Sequence, residues 1–292
     1  MQKSLFDQPL LPQRLKVLWS EAGTDNQNKE ACYARQQAAI GEYAGAWTDA
    51  LRLPDHSSLT QSLCRELGDL TGCPDLAEVE RRCRSAMHQM KKDWEETVRE
   101  GDGNSVVKYY DSSSHYADEL MWWHTLEEDT SPLAYVCALH LALQNGCTDA
   151  LDFGAGVGAG ALLFHRHGLN VTLADISSTL LDFSRRRLRA RGVTATLLDL
   201  KTGGSPDGAY DFITAMDVFE HIAEPEKTVD VLAAALRPGG ILFGRFSAEQ
   251  DEDRPSHIAL DFTPTFQRLK ELGFEECWRD EWLWGHQAFR KG

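Results

Sequence analysis

The chain has 292 residues, 42% of them hydrophobic and 26% charged, with a formal net charge of −15. This is a globular composition with enough material for one large domain or two modest ones. Its acidic balance disfavours phosphate backbones and anionic membranes, so neither nucleic acid nor a membrane is expected as a partner.

Seven cysteines are scattered without a CxxC pair, which suggests reduced thiols. Residues 1–12 lack the apolar core of a signal peptide, and no run approaches the ~20 apolar residues of a membrane span. A cytoplasmic protein is expected.

In chain order, residues 1 to about 25 are mixed and polar, contain Pro9 and Pro12, and include a loose end. Asn28 to Leu51 has apolar residues at helical spacing and stops at Pro54. Ser58 to Leu70 gives a second helix. Pro74 to Arg99 gives a third, with Leu76, Val79, Cys83, Met87 and Met90 or Trp94 along one stripe. That stripe is expected to be packing core rather than a cofactor pocket. Gly101-Asp102-Gly103-Asn104 breaks the pattern, so residues 1–104 form an all-helical region. Residues 105–130 are dense in Tyr, Trp and His and read as an aromatic lid or linker.

Ser131-Pro132 opens a helix through Leu143, and residues 131–292 form the last domain. From Thr148 short strands and helices alternate, the mark of a doubly wound α/β fold with a mostly parallel sheet. Strands are predicted near 149–153, 171–175, 194–199, 210–216, 240–246, 275–280 and 285–290. Helices are predicted near 158–167, 178–191, 225–236 and 264–272. No helix separates the last two strands, so they pair antiparallel at one edge. The run Arg185 to Arg191 reads as a solvated helix face.

The stretch Leu151-Asp152-Phe153-Gly154-Ala155-Gly156-Val157-Gly158 is a strand entering a glycine turn and a helix. Such a turn brings backbone N–H groups up to a nucleotide-like ligand. Alone it also fits a dinucleotide fingerprint. Asp152, however, would repel a pyrophosphate and suits a ligand with an ammonium group. Asp175 ends the next strand, where a carboxylate accepts from ribose hydroxyls. Asp199-Leu200 ends the third, where an acid and an apolar side chain bracket an adenine. Strand four ends in Met216-Asp217, followed by Val218-Phe219-Glu220-His221.

These motifs, with Ala174-Asp175-Ile176-Ser177, Tyr210-Asp211-Phe212-Ile213 and Leu236-Arg237-Pro238-Gly239-Gly240, resemble those of class I S-adenosylmethionine-dependent methyltransferases across roughly residues 130–292. The resemblance implies a Rossmann-like seven-stranded sheet with its last strand antiparallel and inserted. It implies S-adenosylmethionine as cofactor, with Asp152, Gly154, Ala155 and Gly156 along the methionine moiety. Asp175 and Ile176 would then hold the ribose, and Asp199 and Leu200 the adenine, with Met216 also in the cofactor set. Tyr109, Tyr110 and Tyr116 resemble the aromatic segment that covers the methionyl end.

Methyl transfer from a sulfonium needs alignment above all, and a hydroxyl acceptor must also lose its proton. Glu220 and His221 are the candidate catalytic groups, with His257 after strand five. Asp217-x-x-Glu220-His221 resembles the cluster that holds a divalent metal in ubiquinone-pathway catechol O-methyltransferases, with Asp217 where Glu is usual. The candidate metal ligands are therefore Asp217, Glu220 and His221.

His140 is expected to be a satisfied core histidine, and His165 and His167 surface residues at a helix end. His115, His124 and His286 have no assigned role. The expected activity is methylation of a small molecule, at oxygen, with the helical region closing over the acceptor, making a homodimer contact, or both. The alternatives are a non-methylating enzyme or binding protein on the same cofactor site, and a nicotinamide-dependent oxidoreductase.

Overall fold

The computed structural model describes residues 4–23, 26–99, 101–202, 205–207, 210–247 and 254–292. Seven helices precede the first strand. They are α1 (Leu11–Ala22), α2 (Asn26–Leu51), α3 (Leu59–Thr71), α4 (Leu76–Thr97), α5 (Gly103–Ser112), α6 (His115–Trp123) and α7 (Ala134–Gln144). The sheet region runs β1 (Asp149–Phe153), α8 (Ala159–Arg166), β2 (Asn170–Asp175), α9 (Ser178–Ala190), β3 (Thr196–Asp199) and β4 (Tyr210–Ala215). It ends with α10 (Pro225–Ala235), β5 (Leu236–Arg245), α11 (Thr263–Glu271), β6 (Phe274–Arg279) and β7 (His286–Lys291).

The strand order is β3-β2-β1-β4-β5-β7-β6, with β7 antiparallel to both neighbours and inserted between them. This is the expected doubly wound, mostly parallel sheet. The Arg237-Pro238-Gly239-Gly240 turn lies inside β5: Leu236 already pairs with Tyr210, and pairing resumes at Ile241 after a register shift. The sheet order reverses on either side of β1, which opens a crevice at the carboxyl ends of β1, β2 and β4.

Three sequence expectations change. Residues 11–22 are a helix, because Pro12 sits in the first turn where its missing N–H costs nothing, and Leu11, Leu15 and Leu18 bury one face. Residues 103–123, largely within the segment read as an aromatic lid or linker, are two helices. Asp102 caps the first by accepting from the Asn104 N–H at 3.0 Å.

The third change is in the arginine run. Arg185, Arg186 and Arg189 are exposed, but Arg187 is completely buried. It is paired with Glu66 of α3, its Nη2 2.9 Å from Oε2. Arg191 donates to the same carboxylate from Nε at 2.6 Å.

The helical region and one face of the sheet share a core, while a second buried cluster belongs to the sheet region alone. Tyr43, Trp47, Leu63 and Leu67 belong to the same buried cluster as Leu163, Phe164, Leu173 and Phe243. His140 is inside it, its Nδ1 2.6 Å from the Tyr43 hydroxyl, so the core-histidine reading holds. No helix among the described residues is long and apolar enough to cross a membrane.

Candidate functional site

A cavity of about 460 Å³ occupies the crevice. Gly154, Ala155, Gly156 and Val157 form its floor, with Asp175 and Ile176 beyond β2, Leu200 beyond β3 and Met216 beyond β4. Gly154 and Gly156 have φ of 72° and 52°, the left-handed region that favours glycine. Space demands glycine too. A Cβ at Gly154 would lie 2.5 Å from Val218 Cγ2, and one at Gly156 2.7 Å from Leu120 Cδ1.

Three of the loop's amides are already bonded within the protein. Gly154 and Ala155 donate to the Ala174 carbonyl at 2.8 and 3.1 Å, and Gly156 donates to Asp175 Oδ2 at 2.8 Å. The loop is thus tied to β2 and supplies close approach.

The three acidic strand ends differ. Asp175 lines the cavity while accepting from the Gly156 and Ser177 N–H groups, both at 2.8 Å. Burial raises its pKa, and those backbone bonds oppose the rise. Asp152 departs from the sequence expectation: it is not among the cavity-lining residues. It is fully buried under the loop, accepts from Thr214 Oγ1 at 2.9 Å through Oδ1, and has no hydrogen bond at Oδ2. Strand alternation places it on the face opposite Leu151 and Phe153, against the start of α8. Asp199 also stands outside the lining, accepting from Ser178 Oγ at 2.8 Å and the Lys201 N–H at 2.9 Å, while its neighbour Leu200 reaches the cavity.

The helical region roofs the cavity. Tyr116, Glu119, Leu120 and Trp123 of α6 fall on one helical face, and all four line it. Arg82 of α4 clamps α6 through Asp118, donating from Nε at 3.0 Å and Nη2 at 2.7 Å. Tyr109 and Tyr110 of α5 line the cavity as well, with Met87, Met90 and Trp94 of α4. The Met/Trp stripe is therefore both packing surface and cavity wall, because α5 crosses it without covering it completely.

The remaining wall follows β4. Glu220 is 1% exposed, with Oε2 buried and unpartnered. Burial first, then the Asp217 charge, raises its pKa to about 8. His221 Nδ1 lies 3.0 Å from the Ser256 carbonyl, which takes an N–H there and leaves Nε2 with its lone pair. Burial pushes its pKa down to about 4. The ring of His257 is 5.0 Å from that of His221.

One ligand atom each from Glu220, His221 and His257 lie within 4.8 Å of one another, a mixed oxygen and nitrogen set that fits a divalent cation. The unpartnered Glu220 oxygen is what such an ion would satisfy, and the Ser256 carbonyl orients His221 as a second-sphere partner would. Asp217 is outside this set. Its φ is 46°, and Arg245 Nη1 holds its carboxylate at 3.2 Å.

Sequence reasoning missed Glu119, Arg245, Arg254 and Ser256, all in the lining. Glu119 was findable from its helical spacing with Tyr116 and Trp123. Ser256 acts through its backbone carbonyl, which no side-chain pattern announces. Burial raises the Glu119 pKa to about 7, against the Arg254 charge.

Residues 151–244 match the family described as methyltransferase domain. The seven-stranded order agrees with the Rossmann-like fold expected of a class I S-adenosylmethionine-dependent methyltransferase. That separates the glycine loop from the nicotinamide alternative.

Among curated proteins, a ubiquinone biosynthesis O-methyltransferase of Pectobacterium atrosepticum is 30% identical over 131 residues, 42% of this chain and 54% of its own length. A demethylmenaquinone methyltransferase of Thermus thermophilus is 35% identical over 109 residues, 36% and 50% of the two lengths. The chain thus spans about half the length of these curated relatives. Among solved structures, the N-methyltransferase NodS of Bradyrhizobium japonicum with S-adenosyl-L-homocysteine superposes with a TM-score of 0.49 at 18% identity, over 63% of this chain and 96% of its own. That similarity has no bearing on the chemistry of the site.

Proposed function

We propose that the protein transfers the methyl group of S-adenosylmethionine to an oxygen of a small, flat, largely apolar acceptor. The observation that carries this reading is the convergence of Glu220, His221 and His257 on the same cavity as Asp175, on the other side of β1. The adenosyl half lies along Asp175, Ile176 and Leu200. Met216 and His221, which line the cavity beyond β4, would then stand beside the transferred methyl.

The acceptor oxygen forms the new bond to carbon as the C–S electron pair returns to sulfur, leaving S-adenosylhomocysteine, the methyl ether and a proton. Alignment supplies most of the rate, since the sulfonium is already activated.

A histidine with a pKa of about 4 takes up little proton at neutral pH but keeps a lone pair free. His221 is therefore better suited to orienting the acceptor or ligating a cation than to acting alone as a base. A divalent cation held by Glu220, His221 and His257 would act as a Lewis acid and lower the pKa of the acceptor hydroxyl. The tyrosine and tryptophan walls favour an aromatic acceptor, and the relatives named for ubiquinone biosynthesis favour a phenolic oxygen.

The test is to incubate the protein with S-adenosylmethionine and a panel of catechols and phenols, measuring S-adenosylhomocysteine and methylated product together. Equal amounts are expected, with loss on chelation and recovery with a divalent ion. His221→Ala is expected to lower turnover by about 10²-fold at unchanged cofactor affinity. Bound cofactor with no methylated product across the panel would point instead to a non-methylating role.

A further inference from the structure

Adenine and ribose occupy the β2–β3 end of the cavity in the reading above, and the methyl points past β4. The amino-acid tail of the cofactor then runs to the third end, between the glycine loop and α6. Leu120 lies there against Gly156, and Trp123, His124, Ser131 and Tyr135 complete the wall.

His124 stands out among them. It is 3% exposed, and neither ring nitrogen has a hydrogen-bond partner. It lies one helical turn beyond Leu120, on the same side of the helix, and both line the cavity. Its ring is held among aromatic rings, with centroids 5.5 Å from Trp47, 5.1 Å from Trp123 and 6.4 Å from Tyr135.

A buried imidazole with two unsatisfied nitrogens loses the hydrogen bonds it had in water. His286 is buried in the same way but away from the cavity, whereas His124 lines it, where a ligand can supply the missing partner. Arg187 is near enough for its charge, after burial itself, to hold the His124 pKa well below the ordinary histidine value. The ring is thus a neutral imidazole with a free N–H donor, able to bond an anionic oxygen in the cavity.

We propose that His124 is a cofactor-binding residue whose ring N–H donates to the methionine carboxylate of S-adenosylmethionine. This assignment rests on the cofactor placement proposed above. It gives α6 a role beyond covering the cavity: closure of α6 on the glycine loop carries a carboxylate donor with it. Trp123 fixes the turn after α6 by donating from Nε1 to Ser131 Oγ at 2.9 Å, so the donor is mounted on an anchored element.

The experiment compares two ligands by calorimetry. S-adenosylhomocysteine carries the amino-acid tail, and 5′-methylthioadenosine lacks it while keeping adenine, ribose and sulfur. His124→Phe, which preserves the aromatic packing, is expected to weaken S-adenosylhomocysteine about tenfold or more, the loss of one charge-assisted hydrogen bond. Binding of 5′-methylthioadenosine should stay within about twofold of wild type, which also shows that the site is folded. His124→Gln, which restores an N–H donor, should recover most of the loss.

Equal weakening of both ligands would reduce His124 to a packing role, and unchanged binding of both would remove it from the cofactor site. Either result overturns this assignment alone. A wild-type protein that binds neither ligand overturns the cofactor placement and this assignment with it.

Discussion

Asp152 and Asp175 are the same residue type at the ends of neighbouring strands, yet the structure gives them different work. Asp175 reaches the cavity and is held by backbone N–H groups, so its charge is usable by a ligand. Asp152 is sealed beneath the loop with one oxygen unpartnered. Burial raises its pKa from 3.8 to about 7, the Asp175 charge adds to the rise, and the Thr214 hydrogen bond opposes it. The folded chain therefore holds this proton more tightly than the unfolded chain. The resulting stability is complete below pH 3.8 and is lost as pH rises through about 7. Asp152→Asn, which cannot ionise, is expected to abolish that decline. Unfolding free energies from urea titrations at pH 4 to 8 on ligand-free protein should fall for wild type, by on the order of 1 kcal/mol or more. They should fall less for the variant. Parallel curves for the two proteins would show that Asp152 ionises as an ordinary carboxylate.

At the scale of elements, α9 links the helical region to the cofactor loop. Arg187 donates from Nη1 to the Val157 carbonyl at 2.9 Å and from Nε to Glu66 Oε2 at 3.0 Å. Glu66 thus sits one residue away from the glycine turn through a completely buried guanidinium. Burial alone would raise the Glu66 pKa, but Arg187 and Arg191 more than offset it and hold it below the ordinary value. Its stabilisation is present above the unfolded pKa of 4.5 and is lost as pH falls through the lowered folded value.

Glu66→Gln leaves the Arg187 charge buried without its counter-ion, which typically costs about 3–5 kcal/mol. Chemical denaturation at neutral pH should show a loss of that order, together with weaker S-adenosylhomocysteine binding as the Val157 carbonyl shifts. A loss below about 1 kcal/mol, the usual worth of an exposed pair, would mean that water reaches this pair.

The arginine run also marks a limit of reading by sequence. Four arginines in five residues look like a solvated face, and three of them are one. Arg187 is buried only because Glu66, 121 positions earlier, lies opposite, and no local pattern records that. Where a signal is periodic and local, as in the Tyr116–Trp123 face, the site is legible once the segment is recognised as helix.

For the whole molecule, the sheet was readable because alternating strands and helices leave a periodic trace and each strand end carries a motif. The helical region was readable as helices but not as a roof. Its docking depends on contacts far apart in sequence, such as Leu120 over Gly156 and Arg82 to Asp118. Those contacts bear on cooperativity. One buried cluster joins Tyr43, Trp47, Leu63 and Leu67 of the helical region to Phe164, Leu173 and Phe243 of the sheet region. The sheet has a second buried cluster of its own, including Leu151, Ile213, Leu232 and Phe289, but detaching the helices would still expose the shared cluster as a large apolar face to water. Five of the eight tryptophans, Trp19, Trp47, Trp94, Trp122 and Trp123, lie in the helical region and three, Trp278, Trp282 and Trp284, at β6 and the turn after it, so their signal is weighted toward the helices while far-UV circular dichroism reports on the whole chain. Urea unfolding followed by the two signals should therefore give coincident transitions with one midpoint. A tryptophan transition that precedes the dichroism change would show that the helices detach as a separate unit, and the roof over the cavity would then be a docked domain rather than part of one folding core.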